Sequence, residues 1–155
     1  MVQVVLSGLP NVELVSFLVI VFTMYNPGQT RAAIAAFVVL QGAIYGFGIW
    51  WVSYLYIWYL LHVAALLTRR HGSALFYGLL AGAFGLVFGS LTAIPTLFML
   101  GPAVALAYII SGLYFDVIHC VGNFVLVFVL YRPAMHAVNA LQKREQNEPG
   151  ALRHS

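Results

Sequence analysis

Apolar residues fill this chain in unbroken blocks. The stretches 14–25, 32–45, 75–91 and 117–131 are hydrophobic on every side, with no polar residue at every second position. A membrane β-barrel strand alternates apolar and polar residues. Where no water reaches the backbone, a segment apolar all round satisfies its own N–H and C=O groups only as a helix. The pattern therefore predicts helices over about 12–25, 32–49, 54–67, 73–91 and 114–132. "NPGQTR" is expected to turn the chain after the first of them. Pro95 is expected to kink or end the fourth. "LGPAVALAYIISG", broken by Gly101, Pro102 and Gly112, reads as a re-entrant or loop segment, or as a lengthening of the fourth span. "RP" at 132–133 is expected to stop the last span, and 134–143 to continue as an interfacial helix. At the start, "VQVVLSGLP" falls well short of the roughly 20 residues a span needs. It is either a vestigial first helix or the end of a longer one. The expectation is an all-α integral membrane protein: a compact bundle of five to six transmembrane helices over residues 1–134, with a cytoplasmic C-terminal tail over 135–155.

Composition strengthens this reading. Of 155 residues, 63% are hydrophobic and 7% charged, against about a quarter charged in soluble domains, so too few charges exist to cover a water-facing surface. The net charge of +3 suggests no nucleic-acid partner once its distribution is seen. Arg31, then Arg69 and Arg70, then Arg132, Lys143, Arg144 and Arg153 fall in three places, which the positive-inside rule puts in the cytoplasm of a multi-pass protein in the cell membrane. The N-terminus has neither a basic region nor a small-residue cleavage site. Cys120 stands alone and reads as a small buried side chain.

Chemistry narrows to few residues. Glu145 and Glu148 lie in the tail, which leaves Glu13 and Asp116, both expected near the outer face. Each either caps a helix N-terminus in water or serves a ligand site, the default reading of a carboxylate within a span. Asp116, His119 and Asn123 are three and four residues apart and share one helix face. Gln41 and Tyr45 are expected to face the same space, with Tyr54, Tyr56, Trp58 and Tyr59 around its rim, either as interfacial anchors or as the aromatic wall of an outward-opening cavity. No HExxH, GxSxG or P-loop occurs, so neither an enzyme nor a self-powered pump is expected. Asp116 and His119 alone make a weak metal pair, and no metal or cofactor is expected. Small residues four apart, Ala32 and Ala36, Gly78 and Gly82, Gly85 and Gly89, allow close helix approach, either within the bundle or against another membrane subunit.

The ordered segments "PNVELVSFLVIVF", "GAIYGFGIWWVSYLYIWYLL", "FYGLLAGAFGLVFGSLTAIP" and "GLYFDVIHCVGNFVLVFVLYRP" resemble, over about residues 8–134, a substrate-binding S component of an energy-coupling factor (ECF) transporter. The resemblance implies a six-helix protein in membrane lipid that captures a vitamin or similar small-molecule solute from outside. It implies partners, a transmembrane coupling subunit and two ATPase subunits, and delivery by toppling. It also points to the region 50–58, including Trp51, the loop before Gly112, and 116–123 as ligand contacts. Ala32, Ala36, Gly78 and Gly82 are then candidates for docking to the coupling subunit. The chain departs from the family pattern in lacking most of the first helix. The competing expectations are a proton-coupled carrier acting alone through Asp116 and His119, and a structural or assembly subunit with no solute.

Overall fold

The computed structural model describes residues 14–147, with side chains as far as Arg144. Five helices follow one another: α1 (Leu14–Tyr25), α2 (Pro27–Tyr45), α3 (Ile49–Leu67), α4 (Ala74–Leu100) and α5 (Pro102–Asn147). No strand occurs among the described residues. Three helical stretches, Ile49–Leu67, Ala74–Leu100 and Pro102–Arg144, are long and apolar enough to cross a membrane. By length and composition this is a multi-pass helical membrane protein. The expected count of five to six spans is not reached: among the described residues there are five helices, three of them span-like. α1 is apolar but has 12 described residues, and α2 is diluted by Gln29, Thr30, Arg31 and Gln41.

The helix boundaries differ from expectation, each time for a local reason. "NPGQTR" is not a turn beyond its first residue. Asn26 takes an extended conformation, its side chain accepts hydrogen bonds from the Gly28 and Gln29 amides, and Pro27 occupies the first helical position, where its fixed φ and missing N–H cost nothing. "LGPAVALAYIISG" is neither re-entrant nor a loop. Gly101, at φ 89°, makes a one-residue turn that few side chains tolerate, and Pro102 starts α5 as the first residue of a helix. "RP" does not stop the last span either, because α5 runs through Pro133 to Asn147. The boundary expected at 134–135 therefore falls inside a helix whose Val138 is still buried.

α4 also continues through Pro95, and α3 explains how. A proline in a helix leaves the carbonyl four residues earlier without its N–H partner, here Leu91. The Tyr56 hydroxyl donates to Leu91 O at 2.5 Å, and Ser53 Oγ donates to the next carbonyl, Thr92 O, at 3.2 Å. Neighbouring hydroxyls thus supply what the ladder lacks, as an apolar surrounding requires. Tyr56→Phe is predicted to cost about 1–3 kcal/mol, the penalty for a buried acceptor left unsatisfied. In the Pro95→Ala background the restored amide should remove most of that cost. Equal losses in both backgrounds, read from thermal unfolding, would disprove the pairing.

α4 and α5 form a long antiparallel hairpin, and α1 and α3 pack against it. Trp58, Tyr77, Ile20, Ile57, Leu61 and Val127 are fully buried where these helices meet. Outward residues such as Val39, Leu55, Leu79 and Val125 are exposed and apolar, the surface a lipid-facing bundle presents. α5 is roughly 70 Å long at 1.5 Å per residue, more than twice a hydrocarbon core of about 30 Å. Its far end returns to the bundle. Asn123 bonds Ser16, and 19 residues later Gln142 Nε2 donates to the carbonyl of Tyr25, only nine residues beyond Ser16. The axial advances, about 28 Å and about 13 Å, differ, so the two helices do not run in step, and Pro133 is where α5 would bend most readily.

Candidate functional site

The α4–α5 seam is made by glycines. Gly78, Gly82, Gly85 and Gly89 recur on one face of α4. A Cβ at Gly78 or Gly82 would press on Phe124 and Cys120 of α5, and one at Gly85 would come within 2.8 Å of the backbone of His119. Gly78 and Gly82 are therefore consumed by the chain's own packing, which corrects their expected role in partner docking. Ala32 and Ala36 are exposed on α2.

At the fourth glycine the seam meets a carboxyl group. The Gly89 amide donates to Asp116 Oδ1 at 3.0 Å, and any Cβ there would collide with both carboxyl oxygens. Asp116 is 5% exposed, and its Oδ2 has no hydrogen-bond partner among the described residues. Asp116 and His119 open on a cavity of about 330 Å³ that is also lined by Phe88, Gly89, Thr92, Tyr108, Ser111, Gly112 and Phe115. Thr92 Oγ1 donates to Gly89 O at 2.9 Å and lies 3.4 Å from the Tyr108 hydroxyl. The imidazole of His119 meets the Phe88 ring edge-on at 5.0 Å. The cavity thus combines one carboxyl, one imidazole and three hydroxyls with aromatic walls. Such a mixture orients a small polar solute by a few directed bonds while its apolar parts meet rings. Its volume, at the low end for ligand pockets, favours a compact solute.

Of the residues expected to share one site, the structure brings two together at this cavity. Asp116 and His119 come together as expected. Asn123 shares their face but points into the bundle instead of the cavity. It is fully buried, and its Nδ2 donates to Ser16 Oγ at 3.2 Å and Ala81 O at 3.5 Å, tying α5 to α1 and α4. Asn123→Ala should lower stability by about 1–3 kcal/mol and leave affinity for a solute at the Asp116 cavity unchanged once the variant is folded. Reduced affinity at full folding, measured by titration below the unfolding temperature, would return Asn123 to the site.

Five other candidates lie elsewhere. Gln41 is half-buried on α2 and Tyr45 is exposed. Trp51 folds back on α2, its Nε1 donating to Val38 O at 2.9 Å and its ring meeting Phe47 edge-on. Tyr54 packs among Phe37, Trp50 and Trp58. Trp58 is no interfacial anchor. Its ring is fully buried, with Phe37, Phe84 and Phe88 at centroid distances of 5.8–5.9 Å. Tyr54 and Trp58 therefore back the cavity through Phe88 without lining it. Glu13 lies outside the described residues.

Sequence reasoning missed Phe88, Thr92, Tyr108, Ser111 and Phe115. A signal existed, since 108, 111, 112, 115, 116 and 119 follow steps of three and one along a single helix face. Reading 101–112 as broken cut that stripe at its middle. A second buried polar pair was also missed. Thr23 Oγ1 donates to Val19 O at 2.6 Å and shares a 2.8 Å hydrogen bond with Nδ1 of His62, which holds α3 to α1. Among the described residues no group of three or more potential metal ligands occurs. Comparison with protein-family models, with curated proteins and with solved structures finds no match.

Proposed function

We propose that this chain is a membrane solute-binding protein whose Asp116–His119 cavity captures a small cationic or hydrogen-bond-donating molecule. One observation carries the reading. A carboxyl buried between membrane-length helices, at the wall of an aromatic-lined cavity, is fixed through Oδ1 by a backbone amide, while its Oδ2 has no hydrogen-bond partner among the described residues. A carboxylate in that position costs several kcal/mol unless compensated, and a donor on the solute compensates it. Rings beside the carboxyl add cation–π attraction.

The wider role is substrate capture for an ATP-driven micronutrient importer, working with a coupling subunit and two ATPase subunits, and it rests on the sequence resemblance alone. Trp58, one ring behind Phe88, supplies an intrinsic reporter for the cavity. Purified protein is to be screened against cationic and neutral vitamins by tryptophan fluorescence and thermal shift. A saturable ligand that does not accumulate in liposomes holding the isolated protein supports capture for partners. No ligand in either readout overturns the proposal in favour of a structural subunit. The placing of two titratable groups in one cavity favours a second reading, a proton-coupled carrier, which uphill uptake by the isolated protein would establish.

A further inference from the structure

The opposite end of the bundle holds a second concave site that solute capture at Asp116 does not use. Arg69 and Arg70, from the α3–α4 connection, and Arg132 and His136, from α5, surround a half-open cavity of about 690 Å³ whose apolar wall includes Met24 and Met135. Arg132 and His136 are four apart, on one helix face. Arg69 and Arg70 are consecutive and exposed. Bringing three guanidinium groups to one hollow is unfavourable unless an anion joins them, and no ion pair among the described residues involves them. The one carboxyl group among the described side chains, Asp116, is 16 residues from Arg132 along α5 (132 − 116), roughly 24 Å away and beyond the screening length of about 8–10 Å at physiological salt.

Guanidinium forks match phosphate oxygens two by two. We propose that this cavity binds the phosphate-bearing head group of an anionic membrane lipid. Three observations favour a lipid over a free phosphate ion. The volume is about twenty times the roughly 30 Å³ share of one water, room for a head group beyond its phosphate. The arginines lie at one end of membrane-length helices, where a leaflet surface runs. Methionine side chains beside them suit the start of an acyl chain. Basic hollows between transmembrane helices have this affinity in general.

The test uses the full chain, purified in a neutral detergent and titrated by thermal shift with short-chain phosphatidylglycerol, short-chain phosphatidylcholine or inorganic phosphate. Phosphatidylglycerol is expected to stabilise it saturably and phosphatidylcholine not to. Arg132→Gln and Arg70→Gln should each raise the half-saturating concentration about fivefold, since one basic residue near a lipid surface contributes about 1 kcal/mol. Arg31→Gln removes the same charge from an exposed position outside the cavity and should change nothing. Equal weakening by all three variants would overturn the proposal, because it would reduce the effect to net charge. Half-saturation by inorganic phosphate at the same concentration would overturn the lipid as its source. All these arginines are exposed, so the variants are expected to fold.

Discussion

Gly85→Ala is expected to destabilise the protein by about 1–3 kcal/mol or more and to abolish solute binding along with it. The added methyl group would meet the carbonyl carbon and oxygen of His119 at 2.8 Å and the amide nitrogen of Cys120 at 2.9 Å. These are backbone atoms of a helix, which cannot rotate away as a side-chain tip can. Overpacking of this kind is relieved only by shifting the backbone, at a cost of about 1–3 kcal/mol and occasionally more. Here the relief must come from parting α4 and α5, and the same movement draws the Gly89 amide from Asp116. Gly28→Ala is the matched control, since its Cβ would meet only Asn26 Oδ1, at 3.4 Å. A melting temperature for Gly85→Ala equal to that of Gly28→Ala would show that the seam is looser than described.

Asp116→Asn should have the second large effect, and in a different quantity. Asparagine keeps the shape of the side chain, and its carbonyl can still accept from Gly89. It replaces the second acceptor with an amide that donates, so a solute donor would meet a donor. Hydrogen bonds to charged groups contribute about 1.5–3 kcal/mol, so affinity should fall roughly 10- to 100-fold. The fold should hold or gain slightly, because an ionisable group has left an apolar surrounding. Titration followed by tryptophan fluorescence, beside a melting curve, separates affinity from stability. Undiminished affinity for the ligand found in the screen would remove Asp116 from the site.

The helical, membrane-crossing character was legible because uninterrupted apolar blocks leave no other backbone solution in lipid. The ends of the helices were less so. Pro95, Pro102 and Pro133 each look like a break in one dimension, yet one is supported by hydroxyls from α3, one starts a helix and one lies within a helix that continues past it. Asp116 and His119 were legible as polar groups on one stripe. Asn123 obeys the same spacing and serves packing instead, since spacing reports a shared face and not which helix covers each turn of it. Trp58 misled for a related reason: aromatic richness near a span end suggests an interface, whereas this ring is turned inward onto Phe84 and Phe88. The seam of Gly78, Gly82, Gly85 and Gly89 showed a close approach without identifying the approaching helix.

Pro95 lies one turn beyond Thr92, a residue of the cavity wall, and its consequence is mechanical. A helix bends most readily where a rung is missing, so α4 is most easily bent one turn from the Thr92 wall of the Asp116 cavity. Tyr56 and Ser53 act as a latch at that point, grasping from α3 the two carbonyls that a bend would expose. Any bending of α4 at Pro95 therefore has to release α3 first, which couples that wall of the cavity to a helix that contributes no residue to its lining.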